Sequence, residues 1–343
     1  MITLEELNAG IVLVIDKPRQ WTSFQAVNKI KAAIRNIYGI KKFKIGHAGT
    51  LDPLATGVLL VCVGKATKLI PQLQDGEKVY TGTIVFGATT PCYDMERAID
   101  QTFPYEHITP ALLDEKRKKF IGRIDQVPPM YSAVKIAGQR AYEYARIDDP
   151  TVTIQPKTVE IKEFDITAFR EGDRLDRRHP AGMDDLDRRH DKPSLQLYNN
   201  PQCIVPEYLP QVDFRIRCGK GTYIRSIARD FGIALGSGAF LSALRREQVG
   251  GYTIDKALNL NEIQTFFSGN RLTDNTISVS SPYQLRVNSV RRRTNPGWEL
   301  SMKSSWIFFH ILRKMLTILR SFLWLNAMKT EEAEECTYFG TRK

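Results

Sequence analysis

The sequence predicts a mixed α+β domain, and three observations carry that expectation. Short apolar runs bounded by Gly, Pro and Lys recur along residues 1–268 and read as buried strands. Between them lie stretches with apolar residues three and four apart, the spacing of a helix that buries one face. The two kinds of segment alternate without the strict strand–helix–strand rhythm of a doubly wound sheet.

Residues 10–16 (GIVLVID) end at Lys17-Pro18 and read as a buried strand entering a turn. Ser23 is placed to cap a helix in which Phe24, Val27, Ile30 and Ile34 share one face. Residues 57–64 (GVLLVCVG) form a second buried strand, and residues 78–87 a third with partial alternation. Thr109-Pro110 opens a helix to Phe120, with Pro at the tolerated first position. Strands follow at 157–169 and 211–218, and a helix at about 222–235.

A chain of 343 residues has room for one large domain plus an appendage, or for two domains. The formal charge of +11 and pI near 9.4 point to a polyanionic partner, nucleic acid first and anionic membrane second. The charge is unevenly spread, however. Residues 269–343 hold 12 Lys and Arg against 6 Asp and Glu, so this tail supplies +6 and leaves +5 for residues 1–268. The charge argument for the folded part is therefore weak.

Cys62, Cys92, Cys203, Cys218 and Cys336 form no CxxC pair and no cluster with zinc-ligand spacing. Such a scattered, odd set reads as reduced thiols in a cytoplasmic protein. The first ten residues carry two glutamates and no apolar core of signal-peptide length, which argues against export.

Two stretches depart from the pattern. Residues 171–210 are rich in Asp, Arg and Pro and contain LDRRH twice, at 175–179 and 186–190, as in a charged insertion loop between strands. His179 and His190 could bind a metal in principle, but nothing else in the sequence supports that. In the tail, residues 306–328 place His310, Arg313, Lys314 and Arg320 on one side and Phe309, Leu312, Leu316, Leu319 and Leu323 on the other. That is an amphipathic helix and not a clean transmembrane span. Docking on the core, contact with a partner or membrane, and a segment not native to the fold all remain open for it.

The chemistry lies in residues 44–60 (KIGHAGTLDPLATGVLL). Gly46 and Gly49 permit unusual backbone angles and close approach of a ligand. Asp52 precedes Pro53, which biases it away from helical angles and fixes a turn. Gly57 then releases the chain into a strand. A carboxylate is thus held on a constrained loop at the mouth of a sheet, beside His47. A phosphate-binding loop is excluded, because six residues separate Gly57 from Gly64 where four are needed, and Ala66 stands where Ser or Thr would hold magnesium.

The run GHAGTLDPLATGVLLVCVGKATKL resembles the signature of the TruB family of pseudouridine synthases, which includes dyskerin-type enzymes. Further blocks match in the family's order: Asp16-Lys17-Pro18 with Thr22-Ser23, Lys78-Val79-Tyr80, VPPMYSAVK at 127–135 with YEYAR at 142–146, CGKGTYIR at 218–225, and Leu244-Arg245-Arg246. Together they span about residues 10–258.

The resemblance implies a pseudouridine synthase fold with a mixed, largely antiparallel sheet, a catalytic domain at 1–268, and chemistry without metal or organic cofactor. It makes Asp52 the essential carboxylate, attacking the sugar C1′ or the base or assisting glycal formation. Arg225 is its fixed counter-ion, and Tyr80 stacks on a flipped base and takes part in proton transfer. His47 helps hold the nucleotide out of its stack, Tyr223 and Leu244 contact it, and Lys17, Lys44, Lys135 and Lys220 are candidate phosphate contacts. The blocks look bacterial, which implies the T-loop uridine of tRNA position 55 as target, with no obligatory protein partner. A non-catalytic RNA-binding or tRNA-folding protein on the same fold is the alternative, and the carboxylate at 52 speaks against it. The tail does not resemble the RNA-binding PUA domain of many relatives.

Overall fold

The computed structural model describes residues 2–136, 138–145, 153–174 and 208–269. The first half runs α1 (Leu4–Ala9), β1 (Ile11–Lys17), α2 (Ser23–Tyr38), β2 (Ile45–His47), β3 (Thr56–Val63), α3 (Ile70–Asp75), β4 (Lys78–Phe86), β5 (Ala88–Thr89), β6 (Gln101–Thr102) and α4 (Pro110–Arg117). Then come β7 (Gly122–Gln126), β8 (Lys135–Ile136), β9 (Gln139–Arg140), α5 (Ala141–Ala145), β10 (Lys157–Arg174) and β11 (Tyr208–Cys218). The described part closes with α6 (Ile224–Ala234), β12 (Ala239–Val249), β13 (Tyr252–Thr253), β14 (Leu258–Asn259) and α7 (Ile263–Ser268).

The main sheet has the strand order β14-β1-β3-β12-β4-β11-β10-β7, with β2 added on β3 and β13 on β12. Its pairs are antiparallel except β1 with β14 and β3 with β12. This is the mixed, largely antiparallel α+β sheet expected. One face carries a continuous apolar core in which Leu13, Ile15, Leu59, Val61, Ile84, Phe214 and Ile216 meet Ile30 and Ile34 of α2, Ile227 and Phe231 of α6, and Phe267 of α7. Alternation puts Val12, Val14, Val58, Leu60 and Cys62 into a second cluster behind the sheet.

Two details of α2 correct the sequence reading. The cap is Thr22 and not Ser23: the Thr22 hydroxyl accepts from the Gln25 N–H at 3.1 Å, and the Gln25 side chain accepts from the Thr22 N–H at 2.7 Å. Ser23 is left free for another task, described below. Phe24 is 68% exposed. The buried stripe runs through Ser23, Ala26, Val27, Ile30, Ala33 and Ile34, and Phe24 lies about 100° around the helix from Ser23.

Helix α6 is the element that presents Arg225. Its Phe231 ring is held edge-on by Phe86, Phe120 and Phe164 at centroid distances of 5.6, 5.6 and 5.3 Å. Those contacts tie the helix to β4, β10 and the turn after α4, so its first residues are aimed by packing rather than by propensity. Strand β12, which sits between β3 and β4, was not expected as a strand. Its interior carries Ser242, Arg245, Arg246, Glu247 and Gln248, which blur any apolar alternation.

Strands β10 and β11 pair antiparallel out to Arg174 and Tyr208, so the ends of the 171–210 stretch are strand. Residues 175–207 are outside the described residues, with both LDRRH copies, His179 and His190. So are Arg146 and residues 270–343, including the amphipathic segment at 306–328. No helix among the described residues is long and apolar enough to cross a membrane.

Candidate active site

Residues 48–56 form the loop from β2 to β3, and four tethers fix it. The Ala48 N–H donates to Leu60 O at 2.8 Å, and the Ala55 N–H donates back to Asp52 O at 3.1 Å. Ser23 at the start of α2 donates its hydroxyl to Leu51 O (3.1 Å) and accepts from the Leu51 N–H (2.9 Å). The buried Arg246 guanidinium of β12 donates to Val58 O (2.8 Å), Gly49 O (3.1 Å) and Thr50 O (3.4 Å).

Lys17 supplies the fourth tether. Its side chain is fully buried, and the ammonium donates to Trp21 O at 2.6 Å, Pro18 O at 3.0 Å and Pro53 O at 3.2 Å. The phosphate contact expected of it does not fit, because three main-chain oxygens occupy the amine and no surface is left for RNA. Burial pushes the amine down to about 7, with nearby Asp52 opposing the shift.

This loop holds Asp52 at the mouth of a cleft, its side chain 36% exposed, with one carboxylate oxygen 2.9 Å from Nε of Arg225. Arg225 is only 4% exposed. Its other nitrogens donate to Cys92 O at 3.0 Å and Tyr131 O at 2.8 Å, so the guanidinium is clamped beside Asp52, as an ion pair in which the Nε–H makes no hydrogen bond. Nε also lies 3.5 Å from the buried carboxylate of Asp94. Burial disfavours the Arg225 charge, but Asp52 and Asp94 outweigh it and raise its pKa above the ordinary value. Burial raises the Asp94 carboxyl, and Arg225 opposes that.

The cleft measures about 970 Å³ and is lined by Asp52, Tyr80, Tyr223, Arg225, Leu244 and Arg246, among others. The structure thus brings together five residues expected from the sequence: Asp52, Tyr80, Tyr223, Arg225 and Leu244. Tyr80 reaches the cleft from β4 at the edge of the core. Burial raises its hydroxyl pKa against the influence of Arg246, so the phenol is protonated at neutral pH. Tyr223 begins α6, and Gln126 bridges its backbone at both N–H (2.8 Å) and C=O (3.1 Å). The cleft continues past these side chains to Pro71, Lys157 and Lys220.

Of the remaining candidates only Lys220 lines the cleft. His47 sits on β2, outside the cleft lining, with its pKa lowered by burial and then by Arg246. Lys44 and Lys135 are exposed, and Lys220 on the rim is ion-paired to Asp75 at 2.7 Å. Sequence reasoning missed Asp94, which belongs to no quoted block. It also missed the tethering by Ser23, Lys17 and Arg246, although all three stand inside quoted blocks. Among the described residues no group of three or more His, Cys, Asp or Glu is arranged to hold a metal ion.

A carboxylate paired with a clamped arginine, beside a buried phenol at a cleft, defines a site for acid–base or nucleophilic catalysis. Comparison with known proteins narrows that class. Residues 35–178 match the model described as TruB family pseudouridylate synthase (N terminal domain). The chain is 47% identical over 260 residues to the tRNA pseudouridine synthase B of Flavobacterium johnsoniae, covering 76% of this chain and 96% of that protein. It is 43% identical to the protein of the same name from Phocaeicola vulgatus, over 73% of this chain and 90% of that one. A relative from Thermobifida fusca, also so named, is 39% identical over 82% of this chain and 83% of its own length. The chain belongs to the TruB family of pseudouridine synthases.

Proposed function

We propose that this chain is a tRNA pseudouridine synthase that isomerises the T-loop uridine at tRNA position 55, with Asp52 as the catalytic carboxylate. The observation that carries the reading is the 2.9 Å pairing of Asp52 with the clamped Arg225 at the mouth of the cleft. The names of the relatives support the tRNA substrate. The isomerisation breaks the N1–C1′ bond of uridine, turns the base and forms a C5–C1′ bond, with the C5 proton lost and one proton gained at N1. Asp52 acts on the sugar or the base, with the Arg225 guanidinium beside it as counter-ion.

A uridine inside a folded loop must leave its stack to reach Asp52. The cleft offers the Tyr80 and Tyr223 rings and the Leu244 side chain as walls for the flipped base. Tyr80 enters the reaction protonated, so its hydroxyl serves proton movement as a relay, accepting one proton as it gives up its own. Lys44, Lys135 and Lys220 are exposed cations available to phosphates, while the tethered Lys17 serves the loop instead. In this reading residues 1–268 form the catalytic unit and the purified chain works without an obligatory protein partner.

The test is incubation of the purified chain with unmodified tRNA transcript, followed by carbodiimide primer extension. A stop at the T-loop uridine is expected, and its absence with well-folded protein would refute the tRNA assignment.

A further inference from the structure

Arg225 and Arg229 stand one helical turn apart on α6, on the same side of the helix. Each reaches the same two segments. Arg225 donates to Cys92 O and Tyr131 O. Arg229 lies over the Tyr93 ring, 5.4 Å from its centroid, and donates to Val127 O at 3.0 Å, while its Nε pairs with Asp230 at 2.7 Å. Between the two arginines, the Ser226 hydroxyl donates to the same Val127 O at 2.8 Å.

Tyr93 has φ +59, a left-handed conformation uncommon for a bulky side chain. A residue persists there only when its surroundings over-determine it. Three contacts do so: the Tyr93 N–H donating to Thr90 O at 3.0 Å, the Arg229 guanidinium over the ring, and the Leu241 N–H donating to Tyr93 O at 3.0 Å. The neighbours of Tyr93 matter most. Cys92 supplies the carbonyl that clamps Arg225, and Asp94 supplies the second carboxylate on Arg225 Nε. Relaxation of Tyr93 to negative φ would turn the peptide planes on either side of it. The Cys92 carbonyl and the Asp94 carboxylate would then leave Arg225 together.

We propose that Arg229 is a positioning residue for the reaction, holding Tyr93 in its left-handed conformation so that Cys92 and Asp94 keep Arg225 in place beside Asp52. Arg229 does not line the cleft and touches no reacting atom. Its effect is on rate through geometry and not on tRNA affinity. The inference rests on the reading of Asp52 as the catalytic carboxylate.

The test compares wild type, Arg229→Met, Arg229→Lys, Tyr93→Phe, Tyr93→Gly and the Tyr93→Gly/Arg229→Met double variant. Single-turnover rate and tRNA Kd are read on each, together with amide hydrogen exchange at 90–97 and 127–132. Arg229→Met is expected to slow the single-turnover rate about 10- to 100-fold with tRNA affinity unchanged, and to speed exchange in both segments. Tyr93→Phe keeps the ring but removes the hydroxyl that Arg229 also contacts, so its rate should lie between wild type and Arg229→Met. Arg229→Lys restores part of the rate, because an ammonium can still sit over the ring. In a Tyr93→Gly background the Arg229→Met change has no further effect on rate, since glycine adopts this φ unaided. A wild-type rate for Arg229→Met, an equal loss in affinity and rate, or unaltered exchange would each overturn the proposal. If the wild-type chain itself leaves uridine unconverted, the Asp52 reading fails, and exchange alone decides whether Arg229 orders the two segments.

Discussion

A carboxylate serves a reaction only while it is held in place, and Asp52 owes its place to a tethered loop and to the Arg225 guanidinium 2.9 Å away. Asp52→Asn keeps the shape and removes the charge, so turnover should fall to background while the tRNA Kd stays close to wild type. A near-normal turnover would show that the nucleophile is misassigned. Arg225→Met leaves Asp94 buried beside no cation, and chemical denaturation should show a loss of about 3–5 kcal/mol. Arg225→Lys should not restore turnover, because one ammonium cannot bond Cys92 O and Tyr131 O and also pair with Asp52 from the same fixed positions. Lys17 gives a prediction with a definite sign. Burial lowers its pKa from 10.5 to about 7. Between those pH values the unfolded chain holds a proton that the folded chain has released, so this residue's contribution makes stability rise with pH. The stability of wild type relative to Lys17→Met should therefore grow between pH 7 and 10, and a constant gap would contradict the shift. Asp52 and Arg225 were legible in the sequence only through the blocks around them; alone they read as a turn aspartate and a surface arginine. Asp94 was not legible at all, because its role comes from where a loop meets α6 and not from any local pattern.

At the scale of elements, the site depends on a very short parallel contact. Strands β3 and β12 pair only at Thr56 with Arg245 and Gly57 with Arg246. Gly57 has φ +101, and a Cβ there would lie 2.2 Å from Arg246 O and 2.8 Å from Arg246 N. Both the backbone angle and the space demand glycine. Gly57→Ala should cost about 3 kcal/mol or more, read as a fall in thermal midpoint, because β12 must move away from the loop it tethers. Strands β1, β3, β4 and β11 were readable from their apolar runs, and α4 from Thr109-Pro110. Strand β12 was not, since its middle turns arginines toward the loop and toward Asp16. Helix α2 was found but mis-capped, because Thr22 and Ser23 are equally good caps until Gln25 is seen to close the box with Thr22.

At the scale of the whole molecule, the sequence divides its charge unequally, +5 in residues 1–268 and +6 in the tail. If residues 270–343 take no part in catalysis, a chain ending at Gly269 should keep the single-turnover rate of the full chain. It should also keep the slope of log K against log salt for tRNA, because that slope counts phosphates neutralised. A shallower slope after truncation would place tail cations on the RNA. The sheet topology was beyond sequence reading for a related reason: its pairings join segments far apart in the chain. Arg246 donates to Val58 O across 188 residues. A ribosome making this protein therefore exposes Asp52 long before it makes the arginine that fixes the Asp52 loop, and Arg225 also arrives late. The nascent chain can hold the signature loop without a working pocket, and competence comes only when translation is nearly through the folded unit.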